Sequence, residues 1–539
     1  MDRIILLILV FFSLLGQSQL TVPADSLRGA LRPERTCFDV IHYDLLFDIR
    51  IKEQSIKGSN DITFLWKHAS SQIQLDLFEN MKIDSIVMNG QRLKYDRKAN
   101  SIFVHLIGER KIGKIYHLEV FFGGKPIIAK KPPWDGGFTW KQDDNGNPWI
   151  GTSVQGIGAS LFWPNKDHLS DEVDSMQISA IIPKTLQFVT NGNFVQEADV
   201  SDTKKLVTWK VSYPINNYNV SLNVADYVHF SDTLASPLKE TPLALDYYVL
   251  SYNLDKAKEQ FKQVKPMLKC FERAYGPYPF WNDGYALVET PYLGMEHQSA
   301  IAYGNNYQPG YAGKHFPGFE FDYLMIHETG HEYWGNSLSM KDLADMWIHE
   351  GFCTYSESVY IECLEGYERA MDYIANQRVL IRDQAKIQGE YDINHAGDGD
   401  MYYKGAWMLN SMRHTLENDF LWWDLMENLS VQNAVSSVDA STIFNHFNQY
   451  HDFQPMFDQF LNHANAPLLE VKKTKEGFEY RWNCEVKDFN MKMKYRVGDG
   501  NWVTIQPTHE FQLEKVDLSS KEELELGERF FYFKTKWIQ

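Results

Sequence analysis

The stretch that decides the fold reads His327-Glu328-Thr329-Gly330-His331, and Glu350 follows it after eighteen intervening residues. In an α-helix, positions i and i+4 share a face, so the two histidines can direct their imidazoles at one ion. Two imidazoles suit zinc, and the carboxylate between them suits a general base. Glu350 lies in a second helical pattern and offers a third ligand. Two histidines and one glutamate leave a coordination position for water, which is typical of a catalytic zinc.

The same five residues could instead form a polar helix face with two hydrogen-bonded histidines. Such a face has no need of the intervening Glu328 or of a glutamate at a usable distance downstream. The spacing therefore favours one zinc ion per chain, bound by His327, His331 and Glu350, with Glu328 as the base.

Two neighbouring motifs extend this pattern, namely Trp334-Gly335-Asn336 and Glu350-Gly351-Phe352. With them, the region resembles the zinc signature of the aminopeptidase N and leukotriene hydrolase family, which are gluzincin metallopeptidases related to thermolysin. The resemblance extends over most of the chain. It implies a zinc peptidase, and it implies roles for residues outside the metal-binding motif.

The stretch Tyr402-Tyr403-Lys404-Gly405 resembles the Tyr-x-Lys-Gly pattern of that family. The resemblance implies that Tyr402 donates a hydrogen bond to the oxyanion formed during amide hydrolysis. The alternative is that both tyrosines are core residues at the start of a helix.

The stretch Leu293-Gly294-Met295-Glu296-His297 resembles the family loop Gly-x-Met-Glu-Asn, with Leu293 and His297 as departures. The resemblance implies that Glu296 pairs with the α-ammonium group of a peptide and that Gly294 and Met295 contact the substrate. The alternative is an acidic turn between strands.

A glycine-rich segment, Gln155-Gly156-Ile157-Gly158, is followed by Trp163-Pro164-Asn165-Lys166-Asp167. It resembles the family segment that holds a glutamine beside the substrate's N-terminus, although Asn165 stands where the family has cysteine. The resemblance implies that Gln155 binds substrate, and the alternative is a loop with an exposed glutamine.

The composition is that of an ordinary globular protein, with 44% hydrophobic and 23% charged residues among 539. The net charge of −18 argues against a nucleic-acid-binding surface. The five cysteines do not have the spacing of a disulfide framework or of a zinc ribbon.

Residues 1–18 have the pattern of a secretory signal, with a basic Arg3, an apolar core and small residues before Gln19. We therefore expect an extracytoplasmic protein, either secreted or, in a Gram-negative bacterium, periplasmic. The alternative is an uncleaved anchor. No other stretch is long and apolar enough to predict a membrane span.

Alternating and helical periodicities divide the remaining chain into three regions. We predict a multidomain α+β fold with an N-terminal β domain at 19–236, a mostly helical domain at 237–465, which the family resemblance implies to be a thermolysin-like catalytic domain, and a small β-sandwich at 466–539. Family resemblance implies a saddle shape for the first. Many relatives carry a further C-terminal helical domain, which we do not expect in the sequence ending at Gln539.

Together these features predict an aminopeptidase that acts on peptides with a free N-terminus. Alternatives are another main reaction on the same scaffold, such as epoxide hydrolysis or endopeptidase activity, and a non-catalytic peptide-binding protein. The sequence does not predict an oligomeric state.

Overall fold

A computed structural model describes residues 27–518 and 523–539, so the signal sequence predicted at 1–18 lies outside the described residues. Strands dominate the first part of the described chain, helices the middle, and strands return at the end. The predicted mixed α+β class, with a β-rich region before a helical catalytic region, is confirmed.

The N-terminal region begins with a short helix, α1 (Pro33–Thr36). Its strands are β1 (Phe38–Arg50), β2 (Ser55–Trp66), β3 (Gln72–Asp76), β4 (Met81–Met88), β5 (Gln91–Arg92), β6 (Tyr95–Lys98), β7 (Ser101–His105), β8 (Ile115–Gly124), β9 (Gly137–Gln142), β10 (Pro148–Ser153), β11 (Met176–Pro183), β12 (Gln187–Val189), β13 (Asn193–Asp199), β14 (Lys204–Val211) and β15 (Asn223–Ala225). Eight of them form one sheet in the order β13-β14-β11-β1-β2-β8-β4-β5.

Strand β1 shows why this sheet forms. Its side chains alternate, so that Tyr43, Leu45, Phe47 and Ile49 are buried while their neighbours are more exposed. That period of two places one apolar face on the core. β1 pairs antiparallel with β2 and parallel with β11.

The middle region combines a five-stranded sheet, in the order β16-β17-β18-β20-β19, with nine α-helices among the described residues. Its strands are β16 (Tyr227–Leu234), β17 (Leu243–Leu250), β18 (Tyr285–Glu289), β19 (Gly294–Met295), β20 (Ile301–Tyr303), β21 (Leu338–Met340) and β22 (Ser436–Val438). Its helices are α2 (Leu254–Gln260), α3 (Val264–Tyr275), α4 (Tyr323–Tyr333), α5 (Met346–Glu365), α6 (Tyr367–Gln377), α7 (Tyr403–Leu416), α8 (Asp419–Gln432), α9 (Ala440–Phe447) and α10 (Gln454–Asn462). β16 and β17 pair across the boundary predicted between residues 236 and 237, and the domain limits stay predictions.

The last region contains two small sheets. Its strands are β23 (Leu468–Lys473), β24 (Gly477–Asn483), β25 (Met493–Val497), β26 (Val503–Ile505), β27 (Gln512–Lys515), β28 (Leu524–Leu526) and β29 (Lys534–Trp537). The sheets have the orders β27-β24-β23-β29 and β26-β25-β28. The rings of Phe478 and Tyr495, one from each sheet, lie 5.0 Å apart edge to face. Within the described part of the chain, no helix has the length and apolarity needed to cross a membrane.

Helix α4, which carries both histidines of the motif, begins at a buried N-cap. The Asp322 carboxylate accepts a hydrogen bond from the Met325 amide at 3.2 Å and others from the side chains of Tyr303 and Asn305. A capping carboxylate satisfies a free amide of the first turn and opposes the helix dipole. These contacts fix the start of α4 one turn before His327.

Helices α5 and α7 approach each other closely at a pair of glycines. A Cβ atom on Gly405 would lie 2.9 Å from the Cα atom of Gly351, and one on Gly351 would lie 3.2 Å from the Cα atom of Gly405. The two backbones therefore meet without an intervening side chain. This contact brings Glu350, next to Gly351, close to Tyr402 at the start of α7.

We expect Gly405→Ala to lower the temperature of thermal unfolding. Alanine favours a helix over glycine by about 1 kcal/mol, but overpacking a close backbone contact costs about 1–3 kcal/mol. Gly330→Ala is the matched control, since its Cβ would lie 3.4 Å from its nearest neighbour, a Ser356 side-chain atom. A Gly405→Ala protein that unfolds at a higher temperature than the parent would contradict the close contact.

Candidate active site

A cavity of about 500 Å³ lies against α4, α5 and the start of α7. The structure brings all the residues predicted from the sequence as site residues into its lining, which comprises Gln155, Gly294, Met295, Glu296, His327, Glu328, His331, Glu350 and Tyr402 among others. These residues come from both the N-terminal β region and the helical region. The placement fits the predicted roles, which stay predictions.

The metal-binding set is formed by two turns of α4 and the first turns of α5. The rings of His327 and His331 lie 4.9 Å apart. Their Nε2 atoms lie 3.4 and 3.5 Å from one oxygen, Oε2 of Glu350. One ligand atom from each of the three residues falls within 4.8 Å of the other two.

Both histidines are oriented by acceptors on the side away from this centre. Nδ1 of His327 lies 3.0 Å from Oε1 of Glu357, and Nδ1 of His331 lies 3.1 Å from the Trp334 carbonyl oxygen. An imidazole that donates from Nδ1 presents an Nε2 lone pair to a metal ion. Glu357 is itself held by the Tyr373 hydroxyl at 2.6 Å and by the Gln377 amide at 2.9 Å.

These donors fit zinc, because two oriented imidazoles and one carboxylate are a usual three-residue zinc set. The electrostatics agree with a cation at this position. Burial lowers the pKa of His327, but hydrogen bonds to Glu350 and Glu357 outweigh it and raise the pKa to about 9. The surroundings of His327 therefore stabilise positive charge.

A second triad, Glu296, Glu328 and His331, also has ligand atoms within 4.8 Å of one another. Only one of its members is an imidazole, and Glu296 is already engaged by Gln155 and Tyr218. The set of His327, His331 and Glu350 is therefore the better metal site.

Glu328 occupies a narrow place between the metal-binding set and strand β19. A Cβ atom on Gly294 would lie 2.7 Å from Oε1 of Glu328 and 2.9 Å from Leu324. Position 294 thus needs glycine to leave room for the carboxylate. Burial raises the pKa of Glu328 to about 7, although His327 and His331 act in the opposite direction.

Tyr402 lies over the metal-binding set, with its ring stacked 6.1 Å from the ring of His327. Burial raises the pKa of its hydroxyl well above the usual value, and the charge of Glu350 and a hydrogen bond to it act in the same direction. The phenol therefore stays protonated at neutral pH and can donate a hydrogen bond into the cavity. Tyr403 lines the same cavity.

Glu296 is 2% exposed and is held from the N-terminal β region. The Gln155 amide and the Tyr218 hydroxyl, the latter at 3.2 Å, both donate to its Oε1 atom. The backbone carbonyl of Glu296 accepts from Asn336 at 2.8 Å, just after α4. Burial raises the pKa of Glu296.

Tyr218 contributes to the site from a 3₁₀ turn, Asn217–Asn219, that lies far from the motifs along the chain and was not predicted from the sequence. No spacing rule relates this position to Glu296. Glu357 could be identified from the sequence as a candidate partner of a metal-binding histidine, since it lies two helical turns after Glu350 on the same face. Its contact with His327 depends on how α4 and α5 cross.

His297, which departs from the family loop, lies in the interior of the protein. His297 is fully buried, and neither ring nitrogen has a hydrogen-bond partner among the described residues. Burial lowers its pKa to about 3, so the ring is neutral. His297 is not part of the cavity lining.

Comparison with known proteins gives the same family as the motifs. Residues 259–460 match the peptidase family M1 domain. The chain is 21% identical over 347 residues to a probable aminopeptidase 1 of Saccharolobus solfataricus, covering 61% of this chain and 42% of that protein. It is 24% identical over 200 residues to aminopeptidase N of Escherichia coli, covering 36% and 22% respectively. The chain spans about half the length of the first curated relatives it matches.

A similar fold is found in an M1 zinc metallopeptidase from Deinococcus radiodurans, with a TM-score of 0.66 and 18% identity, covering 80% of this chain and 94% of that one. A variant of that protein bound to a Tyr-Ser-Ala substrate also gives a TM-score of 0.66, at 19% identity over 80% of this chain and 95% of that one. The family and its solved structures agree with the His-His-Glu set on zinc as the metal. Residues 259–460 are therefore a peptidase family M1 domain, and the resemblance predicted from the sequence is confirmed.

Proposed function

We propose that the protein is a zinc-dependent aminopeptidase that removes N-terminal residues from peptides. The observation that carries this proposal is the buried Glu296 carboxylate in the same cavity as the metal-binding set. A buried carboxylate without a cation is unfavourable, and a substrate's α-ammonium group can supply that cation. Gln155 and Tyr218 hold the carboxylate in place for this contact.

Related proteins support the proposal. The curated relatives in Saccharolobus solfataricus include a probable aminopeptidase and a leucyl aminopeptidase. A variant of the similar Deinococcus radiodurans metallopeptidase is bound to a Tyr-Ser-Ala substrate. A cavity of about 500 Å³ is large enough for a ligand of that kind.

Zinc held by His327, His331 and Glu350 would polarise the scissile carbonyl and acidify the attacking water. Glu328 then acts as general base: its carboxylate accepts the water proton and passes it to the leaving amine. A pKa raised to about 7 by burial keeps Glu328 close to the range in which it can both accept and release a proton.

Tyr402 donates a hydrogen bond to the oxygen that gains negative charge in the tetrahedral intermediate. Because the pKa of its hydroxyl is raised well above the usual value, the phenol keeps the proton that this hydrogen bond needs. Glu296 positions the N-terminal residue, which places the first peptide bond rather than an internal one at the metal.

We also propose that the protein is exported. The support is the sequence pattern of residues 1–18, with an apolar core of the length found in signal peptides. N-terminal sequencing of the protein recovered from the producing cells would test it, and a mature chain that still begins at Met1 would count against cleavage.

The first prediction separates the base from the ligands. Glu328→Gln should retain zinc and lose about 10²–10⁴-fold in kcat, because it removes proton transfer alone. Glu350→Ala should lose zinc as well, because two imidazoles bind it weakly. The measurement is zinc content by elemental analysis alongside turnover. Loss of zinc from Glu328→Gln with retention in Glu350→Ala would reverse the two roles.

The second prediction concerns the oxyanion donor. Tyr402→Phe removes one hydroxyl, so kcat should fall about 10²–10³-fold with KM little changed and zinc retained. Tyr403→Phe is the matched control from the same cavity and should keep most of the parent activity. A large loss in the control and normal turnover in Tyr402→Phe would identify Tyr403 as the donor.

The third prediction tests the aminopeptidase proposal itself. A peptide with a free N-terminus should lose one residue at a time, and its N-acetylated twin should react at least about a hundredfold more slowly in kcat/KM, because acetylation leaves Glu296 unpaired. Glu296→Gln should narrow that difference. Products are identified by mass spectrometry. Internal cleavage of the acetylated peptide at a comparable rate would show an endopeptidase.

A further inference from the structure

We propose that Lys386 forms a subsite for a carboxylate group of the peptide substrate, so that the enzyme prefers peptides that carry one. The inference rests on the proposed function and adds the chemical class of the substrate. The carboxylate can belong to an acidic side chain or to the peptide's own C-terminus, and the experiment below distinguishes these sources.

Acidic side chains outnumber basic ones in the lining of the cavity. Among the described residues, Lys386 is the one lysine or arginine in the lining, against five acidic side chains. Four of these acids are Glu296, Glu328, Glu350 and Glu357, which serve the metal-binding set or the amine-binding site. The fifth, Asp398, lies on the same loop as Lys386.

Arg382 neutralises Asp398, the fifth acidic side chain of the cavity lining, and the nearby Asp400. It forms ion pairs with Asp398 at 2.6 Å and with Asp400 at 3.4 Å. Asp400 also accepts hydrogen bonds from the backbone amides of Arg382 and Asp383. The Lys386 ammonium group consequently has neither an ion pair nor a hydrogen-bond acceptor within the part of the chain that the structure describes.

The loop that carries Lys386 is a narrow hairpin, residues 385–399, and we call it the rim hairpin. The Asp398 amide donates to the Lys386 carbonyl at 3.0 Å, and Glu390 and His395 form a β-bridge. A Cβ atom on Gly397 would lie 1.7 Å from the Ile387 carbonyl oxygen, so the two strands of the hairpin cannot move closer or accept a side chain there.

The rim hairpin is also fixed against the rest of the helical region. The Ile387 amide donates to the Leu461 carbonyl at 3.2 Å, and the Gly389 amide donates to the Ala344 carbonyl at 2.8 Å. Ile387 is fully buried, while its neighbours Lys386 and Gln388 line the cavity. The backbone therefore presents Lys386 to the cavity from a fixed position.

One chain of contacts connects this wall of the cavity to the amine-binding end. The Gln388 amide donates to Asp345 at 3.1 Å, and the next residue, Met346, has its sulfur 3.8 Å from Nε2 of Gln155. Lys386, Gln155 and Glu296 all line this one cavity. A substrate whose ammonium group pairs with Glu296 can bring a carboxylate to Lys386.

Anionic substrates would otherwise be disfavoured by the glutamates of the cavity. An unpaired cation on the wall offsets that repulsion and provides a charge-assisted hydrogen bond. Lys386 is exposed to solvent at the mouth, so the preference should be modest, about three- to tenfold. It should also weaken in high salt, because solvent screens exposed charges.

The experiment compares three pairs of short peptides that differ by one negative charge. The pairs are Glu-Ala-Ala-amide with Gln-Ala-Ala-amide, Ala-Glu-Ala-amide with Ala-Gln-Ala-amide, and Ala-Ala-Ala with its amide. We expect kcat/KM to favour the charged member of at least one pair by about three- to tenfold, through KM rather than kcat. The pair that shows the preference identifies the source of the carboxylate.

Lys386→Ala should abolish that preference while leaving turnover of the neutral peptides near the parent value, and Lys386→Glu should reverse it. Lys475→Ala is the matched control, because it removes one exposed lysine in the turn between β23 and β24 and should leave every ratio unchanged. The subsite would be overturned if the ratio of kcat/KM for the charged peptide to that for its neutral partner were the same in the parent and in Lys386→Ala, with normal turnover of the neutral peptides.

A failure of the proposed function is recognised separately. If no peptide is hydrolysed, the aminopeptidase proposal fails, and calorimetric binding of the same peptides to the Glu328→Gln protein still reports on Lys386. The subsite would be supported if charged peptides bound more tightly than neutral ones and this difference were lost in Lys386→Ala. The subsite would be rejected if substitution of Lys386 left the relative affinities of charged and neutral peptides unchanged.

Discussion

The site depends on the burial of several carboxylates in one cavity. Glu296, Glu328 and Glu350 approach each other in a space closed to most solvent, and Glu357 stands directly behind His327. Carboxylates buried together are unfavourable unless cations or hydrogen-bond donors compensate them. Much of the local structure can be understood as that compensation, and under the proposed function a metal ion and a substrate ammonium group would complete it.

The hydrogen-bond donors that compensate these carboxylates come from distant parts of the chain. The geometry of the site therefore depends on the assembly of the whole fold. Glu357 uses Tyr373 and Gln377 from α6, while Glu296 uses Gln155 and Tyr218 from the N-terminal β region. Asn219 of that region also donates to Asn336, which in turn holds the backbone of Glu296. The helical region alone would therefore leave the Glu296 carboxylate without these two donors.

The sequence predicts the site well where the relevant geometry is local. The i and i+4 spacing of His327 and His331 depends only on helix periodicity, so the metal-binding face is readable directly. The fold class follows similarly from the alternating pattern of strands such as β1. Tyr218 and the rim hairpin could not be predicted, because their places depend on packing between segments separated by many residues. The contact of α5 with α7 at Gly351 and Gly405 is of the same kind.

Two positions of the loop, His297 and Gly294, differ in how strongly their side chains affect the neighbouring carboxylates. His297 replaces asparagine, yet its ring is neutral, buried and outside the cavity. Its backbone amide still donates to the Met295 carbonyl at 2.9 Å, and its carbonyl accepts from the Ala300 amide at 2.9 Å. These bonds close the turn that aims Glu296 at Gln155 and Tyr218, and any residue other than proline can make them. At Gly294, by contrast, a side chain would strike Glu328. The two loop bonds therefore do not depend on the side chain at position 297, whereas a side chain at position 294 would have to displace the Glu328 carboxylate.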